Sequence, residues 1–220
     1  MRSWMIAALA SLLFAQELLA AGLHGTVHVP GATHGDPTFH PYAGQASSMS
    51  GQMMAMRGTP GDAVIYLEAV PAAVDSTLPL TATHPKLAQK DQAFLPRVVV
   101  IPVGGVVDFP NMDPIYHNVF SVSPIKRFDL GKYPRGESRS VRFPKAGLVN
   151  VYCDIHSDMA AFILVVPNRA FARPKADGSW ELPEVPAGRY TLCWWHPDLT
   201  GGKRTIEIGD HDNAAIDVNF

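Results

Sequence analysis

From residue 94 to 166 the chain is a succession of short β-prone runs with no convincing helical period between them, and this limits its fold more than any other feature. The runs 97–101, 105–109, 116–122, 138–143, 148–152 and 160–166 are rich in Val, Ile, Phe and Tyr and are separated by Gly, Pro and Asn. Many short strands with punctuating turns predict a β-sandwich or barrel. The run 160–166 is apolar at every position instead of alternating, which predicts a strand covered on both faces. One cover would be the sandwich core and the other a second domain.

Strand signals resume after Pro167, at 171–173, 179–182, 188–195, 204–208 and 215–220, joined by Asp-Gly, Pro-Ala-Gly and Gly-Gly turns. About fifty residues make a marginal core on their own. The strand-like runs 25–29 and 63–68 are therefore expected to complete this second sandwich, with the first inserted between its early and late strands. The expected class is all-β. The expected order is a signal peptide over 1–21, a His/Met-rich segment with early strands over 22–70, a ligand-bearing domain over 86–166, and the rest of the second sandwich over 167–220.

At the N-terminus one positive charge, Arg2, precedes an apolar run too short to anchor permanently in a bilayer. This reads as a secretory signal, so the expected location is periplasmic or secreted, with no membrane span once the signal is removed. A formal net charge of −2 and the lack of a Gly-rich phosphate loop argue against a nucleic-acid role.

Low complexity marks the stretch from 22 to 60, which holds His24, His28, His34 and His40 followed by Met49, Met53, Met54 and Met56. The plainer reading is a flexible surface insertion. The sharper one is a copper-acquisition arm, since thioethers suit Cu(I) and His tracts bind metals.

Chemistry concentrates in Val151-Tyr-Cys-Asp-Ile-His-Ser-Asp-Met159, where a thiol, an imidazole and a thioether recur at intervals of three. With a second imidazole from His117, these groups match the two His, one Cys and weak axial Met of a blue-copper electron-transfer centre. Period-two alternation sends Val149, Val151 and Cys153 to one face of their strand and Leu148, Asn150 and Tyr152 to the other. Cys153 thus ends a hydrophobic face, where its sulfur is shielded from water. The bland alternative is a disulfide between Cys153 and Cys193, the only two cysteines. Cys193 sits in the apolar run 190–195, where a free Cys commonly serves as a small buried hydrophobe.

The residues Phe109-Pro-Asn111, Asp113, His117-Asn118-Val119, Gly147 and Cys153-x-x-His156-x-x-Met159 resemble the cupredoxin family over about residues 86–166. The short ligand loop is similar to that of amicyanin. This resemblance implies a Greek-key β-sandwich holding one type 1 copper, with His117, Cys153 and His156 as equatorial ligands and Met159 as the axial one. It implies that the Asn118 side chain ties the two ligand-bearing segments together, and that the partner is a redox protein such as a cytochrome or dehydrogenase. In familiar cupredoxins apolar residues surround the loop His and dock against partners; here Asp154, Ser157 and Asp158 flank it. Residues 176–192 are similar to the carboxypeptidase regulatory-like sandwich, an Ig-like fold. The whole arrangement resembles exported plastocyanin-like proteins of the methylamine-utilisation type.

Alternating aromatics in Trp194-Trp195-His196 read as core or domain interface. Lys126, Arg127, Lys132, Arg135, Arg139, Arg142 and Lys145 could attract an acidic partner, although a solvated face is the plainer reading. An enzyme is not expected: the Cys is flanked by Tyr152 and Asp154, not by His that would wire it to a second copper, and no Ser/His/Asp or paired-carboxylate set has convincing context. Structural zinc fits poorly because Met is not a usual zinc ligand. The rival function is a periplasmic copper carrier or buffer that uses the Met/His-rich arm and performs no redox shuttling.

Overall fold

The structure, a computed structural model, describes residues 20–30, 59–80, 82–209 and 215–220. The expected signal segment up to residue 19 and most of the His/Met-rich stretch, including His34, His40, Met49, Met53, Met54 and Met56, lie outside the described residues. In chain order the early strands are β1 (Ala20–Ala21), β2 (His24–His28), β3 (Val64–Leu67), β4 (Ala88–Lys90), β5 (Ala93–Leu95) and β6 (Val98–Pro102). The middle strands are β7 (Val106–Pro110), β8 (His117–Ser121), β9 (Phe128–Tyr133), β10 (Ser138–Arg142), β11 (Gly147–Tyr152) and β12 (Ala160–Val166). The last are β13 (Phe171–Ala172), β14 (Ser179–Glu181), β15 (Val185–Pro186), β16 (Gly188–Trp195), β17 (Gly202–Ile208) and β18 (Val218–Asn219). One short α-helix, α1 (Ala72–Thr77), and one 3-10 turn (Pro60–Asp62) are described. Among the described residues no helix is long and apolar enough to cross a membrane.

The middle strands form a Greek-key β-sandwich. One layer is a five-stranded sheet in the order β6-β12-β11-β8-β9, in which β6 and β12 run parallel and the other pairs antiparallel. The facing layer pairs β7 with β10, and the β4–β5 hairpin joins it through bridges from Lys86 to Asp108 and from Gln89 to Asn111. Between the layers lies a core containing Val99, Val107, Phe109, Val119, Phe143, Val149, Val151 and Ile163.

A second core collects side chains from both ends of the chain. Leu23, Val27, Ile65 and Leu67 pack with Trp180, Leu182, Leu192, Ile206 and Val218. Their strands interleave accordingly, in a four-stranded sheet β13-β3-β16-β17 and a three-stranded sheet β14-β2-β18.

Strand β12 is where the two cores meet, and its sequence explains why. Ala161, Ile163 and Val165 point into the first core, while Leu164, Val166 and Phe162 point into a third cluster with Val64, Val98, Phe171 and Trp195. Two covered faces demand apolar residues at every position, as this run supplies. Strand β3 follows the same rule from the other side, with Val64 and Tyr66 in the shared cluster and Ile65 and Leu67 in the second core. On β16, Trp194 packs on the second core and Trp195 on the shared cluster, where its ring meets Phe162 edge-on at 6.0 Å.

A polar clamp closes the rim of this junction. Arg97 donates to both carboxylate oxygens of Asp198 at 2.7 and 2.6 Å, approaches Asp62 at 3.6 Å and lies over the Phe162 ring. Burial works against its charge, but the two carboxylates outweigh that and hold the guanidinium protonated. Arg97→Ala removes the one cation that both Asp62 and Asp198 share, so we expect a loss of about 1–3 kcal/mol in denaturant unfolding.

Some elements have no clear mark in the sequence. Phe128, Leu130 and Tyr133 of β9 face the first core, but Lys132 and the neighbouring Arg127 and Arg135 are exposed and disguise the strand as a charged loop. The β4–β5 turn places Asp91 and Gln92 at φ of 54° and 56°, which the sequence does not announce with the usual Asn-Gly pair. The final strand is shorter than the run 215–220: Val218 and Asn219 pair with β2 as a strand, while Ala215 makes only an isolated bridge to His24.

Candidate metal centre

Both cysteines are free and buried, so no disulfide links them. Cys153 follows the last residue of β11 and continues the alternation of buried Val149 and Val151, as the spacing predicts. The chain then makes a tight loop. The Met159 amide donates to the His156 carbonyl at 3.1 Å, and the Cys153 amide donates to the Met159 carbonyl at 3.3 Å, closing the loop at the entry to β12. His117 opens β8 in the same sheet and is fully buried.

These segments bring three donors together. The ligand atoms of His117, Cys153 and His156 all lie within 4.8 Å of one another. His117 Nδ1 faces His156 Nδ1 at 3.1 Å, and the Cys153 sulfur is 3.9 Å from the same His156 nitrogen. Two imidazole nitrogens this close repel unless a proton or a cation sits between them, and a thiol beside the pair makes the pocket suited to a soft or borderline cation. Met159, 1% exposed, belongs to the same buried cluster as Cys153. His156 is only half-buried and forms the exposed edge of the group.

Asn118 reaches across the site. Its Oδ1 accepts from the Asp154 amide at 3.4 Å and its Nδ2 donates to Asp129 at 2.7 Å, so one side chain touches the ligand loop and β9 from β8. Beneath, Tyr133 donates to the Phe109 carbonyl at 2.9 Å and accepts from Gln89 at 2.6 Å; burial pushes its phenol up to about 12.

Asp113 has a more direct contact than the sequence reading gave it. Its carboxylate accepts from His117 Nε2 at 2.7 Å. Burial raises its pKa, but hydrogen bonds from Gln92, His117 and Asp91 outweigh burial and hold it below the usual carboxylate range. In the sequence Asp113 is marked as part of the cupredoxin-like motif, four residues before His117, but with no contact of its own.

The rim is less polar than the loop sequence implies. Asp154 and Ser157 are exposed, but Met112, Ile115, Tyr116 and Ile155 are exposed too, at 52%, 37%, 58% and 40%, on the same two segments that carry the ligands. The apolar surface was hidden because most of it precedes His117 and does not flank His156. His24 and His28 lie on β2 in the other sandwich, where His28 approaches Asp217 at 3.9 Å, and neither joins the His117 cluster.

No protein-family model matches the chain, and no curated protein matches it. Solved structures align with part of it. A purple cupredoxin from Nitrosopumilus maritimus covers 38% of this chain and 99% of its own, at 21% identity and a TM-score of 0.34. Amicyanin from Paracoccus versutus covers 46% of this chain and 96% of its own, at 20% identity and a TM-score of 0.35. A copper-containing nitrite reductase from Thermus scotoductus SA-01 matches 44% of this chain over 27% of its own, at 25% identity and a TM-score of 0.37. Each likeness spans under half of this chain, and what the site can do is set by its own side chains.

Proposed function

We propose that this chain is an exported type 1 copper protein that transfers single electrons, with copper held by His117, Cys153, His156 and an axial Met159. The convergence of two imidazoles and a free, buried thiol from separate segments carries this reading. The donor set fits the metal: thiolate and imidazole suit copper in both oxidation states, thioether suits Cu(I), and a neutral sulfur is a poor zinc ligand. When bound, the metal supplies a one-electron Cu(II)/Cu(I) couple. The protein supplies rigidity. His117 is fixed by a strand and by Asp113, the ligand loop is closed by its own hydrogen bonds, and Asn118 ties the two, so little need move between redox states.

The half-buried His156 beside an apolar rim supports docking of a redox protein such as a cytochrome or dehydrogenase, and the chain is read as a carrier, not an enzyme. Residues 86–166 are read as the metal-bearing domain inserted into the second sandwich. A location outside the cytoplasm, periplasmic or secreted, follows from the N-terminal sequence signal.

Titration of the metal-free protein with Cu(II) tests the reading: we expect one equivalent to bind and an intense visible thiolate-to-Cu(II) band to grow to saturation. Met159→Leu should keep that band and raise the reduction potential, because removing an axial sulfur donor disfavours Cu(II). A variant that keeps both its colour and the wild-type potential would place Met159 outside the metal's coordination.

A further inference from the structure

Charge is divided between the two ends of the first sandwich. The ligand end consists of the β4–β5 turn, the β7–β8 and β9–β10 connections and the ligand loop. It carries Asp91, Asp113, Glu137, Asp154 and Asp158 against one Lys or Arg, Arg135. The opposite end consists of the connections 103–105, 122–127 and 143–146, which contain no Asp or Glu. These three touch one another. The Gly104 amide donates to the Phe143 carbonyl at 2.8 Å, the Phe143 amide donates to the Gly105 carbonyl at 2.9 Å, and the Ile125 side chain lies against Gly147.

Four cations gather at this end. Lys126, Arg127 and Lys145 stand on the connections, and Arg142 closes β10 beside them, donating to the Gly104 carbonyl at 2.5 Å. Arg127, Arg142 and Lys145 are exposed, and among the described residues none of the four forms an ion pair. Val103 and Val122 are exposed at the same end, at 42% and 64%. The one acid lining the cleft beside it, Asp75, is already occupied, accepting from the Arg169 amide at 2.6 Å.

A basic pole of this kind attracts anions, and its form selects among them. The cations stand on connections at the tip of the sandwich, with valine side chains exposed on the same connections. A layer of lipid headgroups accommodates such tips, taking the cations against phosphates and the valines at the interface. A folded acidic protein is better matched by a contiguous apolar patch, and this molecule displays one at the other end, in Met112, Ile115, Tyr116 and Ile155. Strand β11 spans six residues between the ends, which at about 3.3 Å each sets them about 20 Å apart. The attraction of a charged surface fades over about 8 Å at physiological ionic strength, so the basic end feels it and the acidic ligand end does not.

We propose that the basic end is a docking surface for an anionic phospholipid membrane, on which the first sandwich stands with its ligand loop turned to the water. The surface stands without the copper reading. Only the use of this orientation, which leaves His156 and its rim open to a redox partner, rests on that reading.

Vesicle sedimentation of the metal-free full chain tests the proposal. Vesicles of phosphatidylglycerol and phosphatidylcholine should bind it more tightly than vesicles of phosphatidylcholine alone, by a margin that shrinks as salt is raised; the neutral vesicles account for binding by apolar segments. One cation at such a surface strengthens partitioning by about fivefold, so Arg127→Glu with Lys145→Glu should weaken binding at least about 25-fold. Lys175→Glu with Arg189→Glu, an equal change of charge at exposed positions of the second sandwich, should weaken it less than about threefold. Equal losses in the two double variants, or equal binding of wild type to both kinds of vesicle, would overturn the proposal. Wild type that ignores anionic vesicles but binds immobilised polyglutamate through Arg127 and Lys145 would also overturn it and give the pole to an acidic protein. With gadolinium-chelating lipid in the vesicles, amide signals of 122–127 and 143–146 should broaden before those of 153–159, and the reverse order would overturn the orientation. None of these results depends on copper uptake, so failure of the copper reading in a metal titration stays distinguishable from failure here.

Discussion

Cys153→Ser removes the intense visible absorption of the copper-loaded protein and weakens copper retention, while Cys193→Ser changes neither. The two cysteines are both free and buried, so burial alone does not separate them. What separates them is company. The Cys153 sulfur lies 3.9 Å from a His156 nitrogen and within the same 4.8 Å cluster as His117, whereas Cys193 lies on β16 opposite Tyr66 of the second sandwich. Burial raises the Cys193 thiol, which keeps it protonated and inert. Serine at 153 offers a hydroxyl that does not ionise near neutral pH and cannot supply the sulfur-to-copper charge transfer. Absorption spectra and competition with a copper chelator, run on both variants, check the contrast. Colour that survives in Cys153→Ser would remove the thiolate from the site.

Leu164→Ala should destabilise the protein by about 2–5 kcal/mol, the usual result of emptying a large buried apolar site. Leu164 is 6% exposed and lies in the cluster shared by both sandwiches, not in the core of its own. Ala160→Ser, at an exposed position on the same strand, should stay within about 0.5 kcal/mol. The tryptophans give the measurement its resolution. Trp180, Trp194 and Trp195, the tryptophans among the described residues, lie in the second sandwich or at the junction, so in protein without the N-terminal segment that carries Trp4 fluorescence follows that half while circular dichroism follows both. Leu164 belongs to the first sandwich, so a shift of the tryptophan transition in Leu164→Ala reports coupling across the junction. A fluorescence transition identical to wild type would mean that the shared cluster contributes nothing to holding the two halves together.

How much of this was legible in the sequence depended on whether the signal was local. The apolar run of β12 declared its two covered faces because burial acts position by position along one strand. The alternation of Val149, Val151 and Cys153 likewise placed the thiol on the core face, and the x-x spacing of Cys153, His156 and Met159 announced a tight loop. Strand β9 was not legible, since its inward residues Phe128, Leu130 and Tyr133 are separated by charged and glycine positions that read as a loop. The β4–β5 hairpin was missed for a related reason: Asp91 and Gln92 are not residues that ask for a left-handed turn, and the amides they present acquire meaning only when Asp113 arrives from another segment. The apolar rim of Met112, Ile115, Tyr116 and Ile155 required the same convergence, because no single stretch of sequence contains it.

The most direct test of the copper reading is the visible spectrum of protein loaded with one equivalent of copper, followed through reduction by ascorbate and reoxidation, with bound metal measured at each stage. An electron carrier built on His117, Cys153, His156 and Met159 loses its thiolate-to-Cu(II) band on reduction, regains it on oxidation and keeps its metal throughout. A loaded protein with no such band, or one that releases copper when reduced, would contradict the assignment.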